Sequence, residues 1–289
     1  MNVTREPAVA VVPYGVRLNR DFANRKLASL HWPLGCPADL ISGCVADLTA
    51  RDHLIVWAKT AMHFQPRWPC AARISMMVME PKIMSALHHR LLPWTGRRFY
   101  RVFSYDDDLL GRTGNGVFLP FGTTWVPEWR DLTVEKCADL SLIASAKRDH
   151  PGHRLRHEIA EHLNTSQREV AILGRGYQPF DAKSDGLAPY RYSVVIENVR
   201  ERNYFSEKLI DAILCETVPI YWGCPNISDF FDPAGMMVCT SAEELRASIA
   251  MISHGDYAAR LPALRAIKPA AARYGEIERR AAEALLASL

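Results

Sequence analysis

The chain has 289 residues, 48% of them apolar and 23% charged, with 35 Lys and Arg against 32 Asp and Glu. These values exclude a disordered, collagenous or coiled-coil chain, and a formal net charge of +3 is too mild for a nucleic-acid-binding surface. No run of about 18 uncharged apolar residues is present, so no helix is expected to cross a membrane. The first residues, Met1 to Pro7, lack the apolar core of a signal peptide. Cysteines stand at 36, 44, 70, 137, 215, 224 and 239, odd in number and without a Cys-x-x-Cys pair. They read as reduced, mostly structural thiols of a cytoplasmic protein.

In chain order, short apolar runs rich in β-branched residues read as strands at 8–12, 54–58, 74–79, 101–104 and 117–120. Residues 84–92 read as a helix and 106–110 as a helical turn. In the second half, strands are expected at 140–144, 170–173, 192–196, 219–222 and 236–239. Helices fall near 152–163, 205–215 and 242–253. The segment 269–289 is rich in Ala, Glu and Arg and reads as a strong helix former.

Strands alternating with helices predict parallel sheets with helical crossovers, an α/β fold. The polar stretch 127–137 precedes a fresh strand and marks the expected boundary. It separates a Rossmann-like N-terminal domain over 1–138 from a second one over 139–268. The helix of 269–289 is expected to pack back on the first domain. The two halves would face each other across a cleft. Ligands of such sheets sit beyond the carboxyl ends of the strands, where crossovers change direction.

One stretch meets that expectation best. The strand at 192–196 runs into Glu197-Asn198, a charged loop follows, and a helix starts near Asn203 or Ser206, both good N-caps. Phe205, Leu209, Ala212 and Ile213 lie at helical spacing and bury one face. Lys208 then falls in the first turn, where the helix dipole disfavours a cation by a few tenths of a kcal/mol. A bound anion removes that conflict, because helix N-termini beside a Lys suit phosphate. Compensation by the neighbouring Glu207 removes it too.

This strand-Glu-Asn ending, the Tyr204-Phe205-Ser206-Glu207-Lys208 segment, and the run Thr217-Val218-Pro219-Ile220-Tyr221-Trp222-Gly223 resemble the donor-site block of glycosyltransferase family 10. Those enzymes are the α-1,3/4-fucosyltransferases. Pro225 and Asp229-Phe230-Phe231-Asp232-Pro233 continue the likeness, which covers about residues 190–233. The resemblance implies a GT-B-type α/β fold and GDP-fucose as donor. It assigns donor contacts to Asn198 and Tyr204, the ribose hydroxyls to Glu207 and the diphosphate to Lys208. Upstream, Leu140 to Leu163 resembles the family more loosely and puts Arg156 where a family arginine grips the pyrophosphate. Leu155, Ile159 and Leu163 read as the buried stripe of that helix, leaving Arg156 outward-facing. An ordinary surface charge is the alternative, and Arg154 is a second candidate for the grip.

The N-terminal half resembles the family weakly. Residues 74–79 end in Glu80-Pro81, and the family uses a glutamate after a comparable strand as the base on the acceptor hydroxyl. Burial raises a carboxyl's pKa toward a value useful to a base. The plainer reading is a helix-initiating Glu-Pro, since proline suits the first helical position. The implied enzyme is an inverting, bacterial-type fucosyltransferase of the cytoplasm, peripheral to the inner membrane at most. It needs no cofactor and no essential metal, and it acts on a glycan or lipid-linked saccharide. The acceptor-binding loops are expected at 13–22, 64–69 and 92–98. Two other readings stay open, a transferase for another GDP-sugar and a non-catalytic nucleotide- or glycan-binding module.

Several signals read as ordinary structure. Asp106-Asp107-Asp108 spells Asp-x-Asp, the metal motif of other glycosyltransferases, but reads as a solvated helix cap. His157 and His162 are five positions apart on one helix and diverge, so they cannot share a metal. Gly174-Arg175-Gly176 lacks the third glycine of a dinucleotide fingerprint and reads as a turn. Basic residues from Arg260 to Arg280 could touch an anionic membrane surface, although Glu276, Glu278 and Glu283 dilute them.

Overall fold

Every ladder between the strands of the computed structural model is parallel. It describes residues 5–166 and 168–289. Part of the N-terminal stretch read for a signal peptide, Met1–Thr4, lies outside the described residues. The chain divides into two compact units, one of residues up to Pro120 together with Ile277–Leu289, the other Phe121–Glu276.

In the first unit the strands are β1 (Val9–Val11), β2 (His53–Trp57), β3 (Arg73–Val78), β4 (Val102–Ser104) and β5 (Gly116–Phe118), lying in sequential order. They are apolar on both faces, as parallel strands covered on both sides must be: Leu54, Ile55, Ile74, Met76, Met77, Val102 and Phe103 are all buried. The segment from β1 to β2 carries four short 3₁₀ turns and no α-helix. α1 (Lys82–Thr95) joins β3 to β4, and α2 (Asp107–Gly111) joins β4 to β5. The final helix, α7 (Ile277–Leu286), returns to this unit and packs on β1. Arg280 on it donates to the Pro120 carbonyl at 3.0 Å, and Arg101 Nε donates to Ser288 Oγ at 2.9 Å.

In the second unit, β6 (Ala138–Ile143), β7 (Ala171–Leu173), β8 (Tyr190–Ile196), β9 (Val218–Trp222) and β10 (Met237–Val238) form a sheet in the order β10-β9-β8-β6-β7. After β7 the chain crosses back over β6 to form β8, so the winding reverses between β6 and β8. α3 (Pro151–Thr165) follows β6, α4 (Glu207–Leu214) follows β8, and α5 (Ala242–Met251) and α6 (His254–Gly275) follow β10. α4 is buried almost all round: Leu209 to Leu214 have no exposed side chain, beyond the single apolar face expected of it.

The polar stretch 127–137 lies within the second unit, and the chain passes between units at Pro120/Phe121 and Glu276/Ile277. Residues 254–268 form helix that the pattern did not announce, and Pro262 and Pro269 both sit inside α6. The single helix expected over 269–289 is divided between the end of α6 and α7. The basic residues of this region are largely taken up internally. Arg260 pairs with Asp256, Arg265 and Lys268 with Glu216, and Arg279 with Glu283, while Arg280 is buried.

Candidate functional site

The reversal between β6 and β8 is the topological switch point of the second sheet, where α/β folds place their ligands. Two residues beyond the end of β8, Glu197 and Asn198, meet the first turns of α3 and α4 there. Gly152 makes the approach of α3 possible: a Cβ on it would stand 1.7 Å from the Glu197 carbonyl oxygen. Its amide donates to the Asn198 carbonyl at 3.0 Å. Gly223, just past β9, is equally constrained, because a Cβ there would lie 2.6 Å from Glu197 Cγ.

This packing turns Arg156 inward. The buried residues of α3 are Gly152, His153, Arg156, His157, Ile159, Ala160 and Leu163, which corrects the expectation that Arg156 faces outward. Its Nε and Nη2 donate to the Ile196 carbonyl at 2.9 and 2.6 Å, and Nη2 also donates to Asn198 Oδ1 at 2.8 Å. Among the described residues, Nη1 has no hydrogen-bond partner. Burial lowers the guanidinium's pKa, while the charges of Glu197, Glu207 and Tyr204 oppose that shift. Arg154 is exposed and donates to the carbonyls of Arg148 and Asp149.

Ser206 caps α4, accepting from the Lys208 amide at 3.4 Å. Glu197, fully buried, grips that cap through the Ser206 amide at 2.7 Å and the Ser206 hydroxyl at 2.6 Å. Lys208 Nζ lies 2.8 Å from Glu207 Oε1, 3.1 Å from Ser206 Oγ and 3.6 Å from Glu197 Oε2. The cation in the first turn is therefore compensated by two carboxylates. Burial pulls the Lys208 ammonium down, but Glu207 and Glu197 outweigh it and the net shift is upward. Burial likewise raises Glu207, and Lys208 with Lys183 holds it below its ordinary range.

Tyr204 is buried and stacks on Phe121, with centroids 6.0 Å apart and planes at 11°. Before it, Asn203 takes a left-handed φ of 62°, fixed by the side chain of Asn226, which accepts from its amide at 2.9 Å. Arg156, Asn198, Tyr204, Glu207 and Lys208 thus gather at one edge of one sheet. Four further residues share that place: Glu197 and Ser206, read from the sequence as a strand ending and an N-cap but given no site role, and Lys183 and Asp211, which lay outside that reading. Asp211 is fully buried in α4, accepts from Thr124 Oγ1 at 2.7 Å, and is pushed up to about 7 by burial. Lys183 lies with its Nζ 5.6 Å from the Trp125 ring centroid, and burial lowers it against the pull of Glu207 and Asp211. Glu197 and Asp211 had a signal, acids set among uninterrupted apolar residues; Lys183, in a polar loop, had none.

Glu80 stands on the first sheet, two residues past β3, and it is exposed rather than buried as a tuned base was expected to be. Its carbonyl accepts from Ser85 Oγ at 3.1 Å and from Tyr105 OH at 3.3 Å. Pro81 is the N-cap of α1, one position before the first helical position expected of it, which Lys82 holds. Asp106 caps α2 and is buried against Lys82 and His89 at 2.8 and 3.0 Å, which corrects the solvated cap expected there. His157 is buried against Tyr177 while His162 is exposed, and Gly174 and Gly176 both take the positive φ of a turn. Among the described residues no three His, Cys, Asp or Glu side chains gather as metal ligands, and no helix is long and apolar enough to cross a membrane.

No protein-family model matches the chain. A stretch of 51 residues is 39% identical to the α-(1,3)-fucosyltransferase FucT of Helicobacter pylori, spanning 18% of this chain and 11% of that protein. The chain thus matches about a tenth of the length of that curated relative. Among solved structures, an α1,3-fucosyltransferase with GDP-fucose aligns over 96% of this chain and 93% of its own, at 15% identity and a TM-score of 0.51. The same kind of enzyme with GDP aligns over 90% and 83%, at 17% identity and 0.53. A UDP-forming α,α-trehalose-phosphate synthase from Burkholderia vietnamiensis aligns over 84% and 73%, at 11% identity and 0.50. At these identities the likeness establishes the fold, which is α/β of the GT-B type with a parallel sheet in each unit.

Proposed function

We propose that the chain is an inverting glycosyltransferase that moves L-fucose from GDP-fucose to a hydroxyl of a saccharide acceptor. The observation that carries this reading is the convergence of Arg156, Asn198, Tyr204, Glu207 and Lys208 at the switch point of the second sheet. The fucosyltransferase structures and the 51-residue match support the choice of sugar nucleotide.

In this reading Lys208 and Arg156 bind the diphosphate, Arg156 with the Nη1 that its protein contacts leave over. Asn198 holds Arg156 in place, Tyr204 flanks the donor, and Glu207 accepts from the ribose hydroxyls. The acceptor oxygen attacks the anomeric carbon as the bond from that carbon to the β-phosphate oxygen breaks, and Glu80 takes the hydroxyl proton. GDP leaves with the electron pair of the broken bond. Positive charge already in place stabilises the leaving group without reorganisation, and no metal is assigned a part.

Calorimetric titration with GDP, UDP, ADP and CMP, followed by GDP-fucose and GDP-mannose, tests the assignment. Selective GDP binding that Lys208→Ala removes is expected, with GDP-fucose preferred over GDP-mannose. Equal binding across the four nucleotides, or none, overturns the donor site, and a preference for GDP-mannose overturns the sugar.

A further inference from the structure

The carboxyl edge of the first sheet carries a cavity of 1160 Å³. It is lined by the segment after β1, including Arg17 and Arg20, by Trp57 at the end of β2, and by the segment after β2, including Lys59, Arg67 and Trp68. Small-molecule sites span roughly 300–1,000 Å³, so this one has room for several linked sugar rings.

The lining is one-sided in charge. Arg17, Arg20, Lys59 and Arg67 contribute to it, and among the described residues no Asp or Glu does. Like charges around one concavity repel and focus a positive potential into it, which an anionic ligand relieves. Lys59 shapes the site rather than reading a ligand, because its Nζ donates to the Gly15 and Val16 carbonyls at 2.6 and 2.7 Å. These bonds hold the turn in which Gly15 takes a φ of 90°. Arg17, Arg20 and Arg67 are exposed, and guanidinium forks match carboxylate and phosphate oxygens.

A further observation points to a saccharide: Trp57 and Trp68 supply flat apolar faces of the kind sugar rings stack on. The Nε1 of Trp57 is buried and has no partner among the described residues. Glu80 follows β3 at the same carboxyl edge of the sheet, three residues after Met77, with which Trp57 of the cavity lining is in register.

We infer that this cavity is the acceptor site and that the acceptor is an acidic saccharide, carrying carboxylate or phosphate groups. The inference rests on the glycosyltransferase reading above.

The test is calorimetric titration of the full chain with trigalacturonate, maltotriose 1-phosphate and uncharged maltotriose, at low and high salt, with GDP titrated in parallel. At least one anionic trisaccharide is expected to bind about tenfold or more tighter than maltotriose, with the advantage shrinking in salt. The carboxylate and phosphate arms distinguish the two sources of charge. The double variant Arg17→Ala, Arg67→Ala, both at exposed positions, is expected to lose that preference and to keep its GDP affinity. Maltotriose binding as tightly as its charged counterparts, or an unchanged preference in the variant, overturns the inference. Saccharides that fail to bind while GDP binds overturn it alone. Failure of GDP overturns the underlying reading, and the acceptor assignment with it.

Discussion

Each unit is organised around a five-stranded parallel sheet, yet the carboxyl edge of the second and the cavity beside β1 and β2 at the carboxyl edge of the first hold charge in opposite ways. At the edge of the second, Arg156, Lys183 and Lys208 stand among Glu197, Glu207 and Asp211; Lys208 pairs with Glu207 at 2.8 Å, while Arg156 is held by the Ile196 carbonyl at 2.6 and 2.9 Å and Glu197 by the Ser206 hydroxyl at 2.6 Å. At the edge of the first, three arginines and a lysine line an open cavity without a carboxylate. The difference follows from topology. The second sheet reverses its winding and brings the first turns of two helices against one strand end, whereas the first is wound in sequential order. Its β1-to-β2 connection is a long loop with only 3₁₀ turns. A rigid, internally compensated edge suits a ligand of fixed chemistry, and a loop-built edge suits one that varies.

The largest effect expected on this contrast is at the first edge. Glu80→Gln removes the proposed base and is expected to lower transfer about 10²–10⁴-fold while leaving GDP affinity unchanged. Steady-state fucosyl transfer and GDP titration on the same preparation check it, and near-wild-type transfer breaks the assignment. At the second edge, Lys208→Ala is expected to weaken GDP binding roughly 10–100-fold, the equivalent of about 1.5–3 kcal/mol for a charged hydrogen bond. Because Glu197 and Glu207 then lose their shared cation, thermal stability falls as well. Gly152→Ala tests the rigidity itself. The Cβ cannot fit at 1.7 Å from a backbone oxygen, so α3 must shift, at a cost of about 1–3 kcal/mol in denaturant unfolding. The shift carries Arg156 with it, so GDP affinity falls too, and an unchanged affinity means the grip of α3 on Asn198 does not position the site.

The same contrast explains what the sequence could announce. Strands of both sheets were legible because parallel strands buried on both faces read as unbroken apolar runs. The edge of the second sheet was legible because its groups come from short, contiguous segments, Glu197-Asn198 and Ser206-Glu207-Lys208, fixed relative to strand and helix ends. Arg156 was found but misplaced: a long charged side chain near a helix start reads as solvent-facing, and only the close approach allowed by Gly152 draws it inside. Lys183 was not legible as part of a site. Of the loops expected to bind the acceptor, 13–22 and 64–69 do line the cavity of the first unit and 92–98 does not, but their convergence on one cavity and its charge were not legible. They depend on loops brought together from distant positions, for which periodicity carries no signal. The seam between units was misread for a related reason. The polar segment after residue 127 looks like a linker, but it follows Thr124 and Trp125, which are tied to Asp211 inside the second unit.

That tie yields the most specific effect. Asp211 has an ordinary value of 3.8 and is pushed up to about 7, burial outweighing the hydrogen bonds from Thr124 and the Trp125 amide and the attraction of Lys183. Between those two values the native chain keeps a proton that the unfolded chain has released. The native state therefore binds more protons, and stability falls as pH rises from about 4 to 7, by at most about 1.4 kcal/mol per pH unit from this group. Below and above that window Asp211 contributes no slope. Asp211→Asn preserves an acceptor for Thr124 but cannot titrate, so its unfolding free energy, measured by denaturant titration at half-unit pH steps, is expected to lose that part of the decline. The two proteins should differ most near pH 7, with the variant the more stable. Parallel curves across the window would mean that Lys183 keeps Asp211 ionised in the fold, making the second edge a fully charged network down to acid pH.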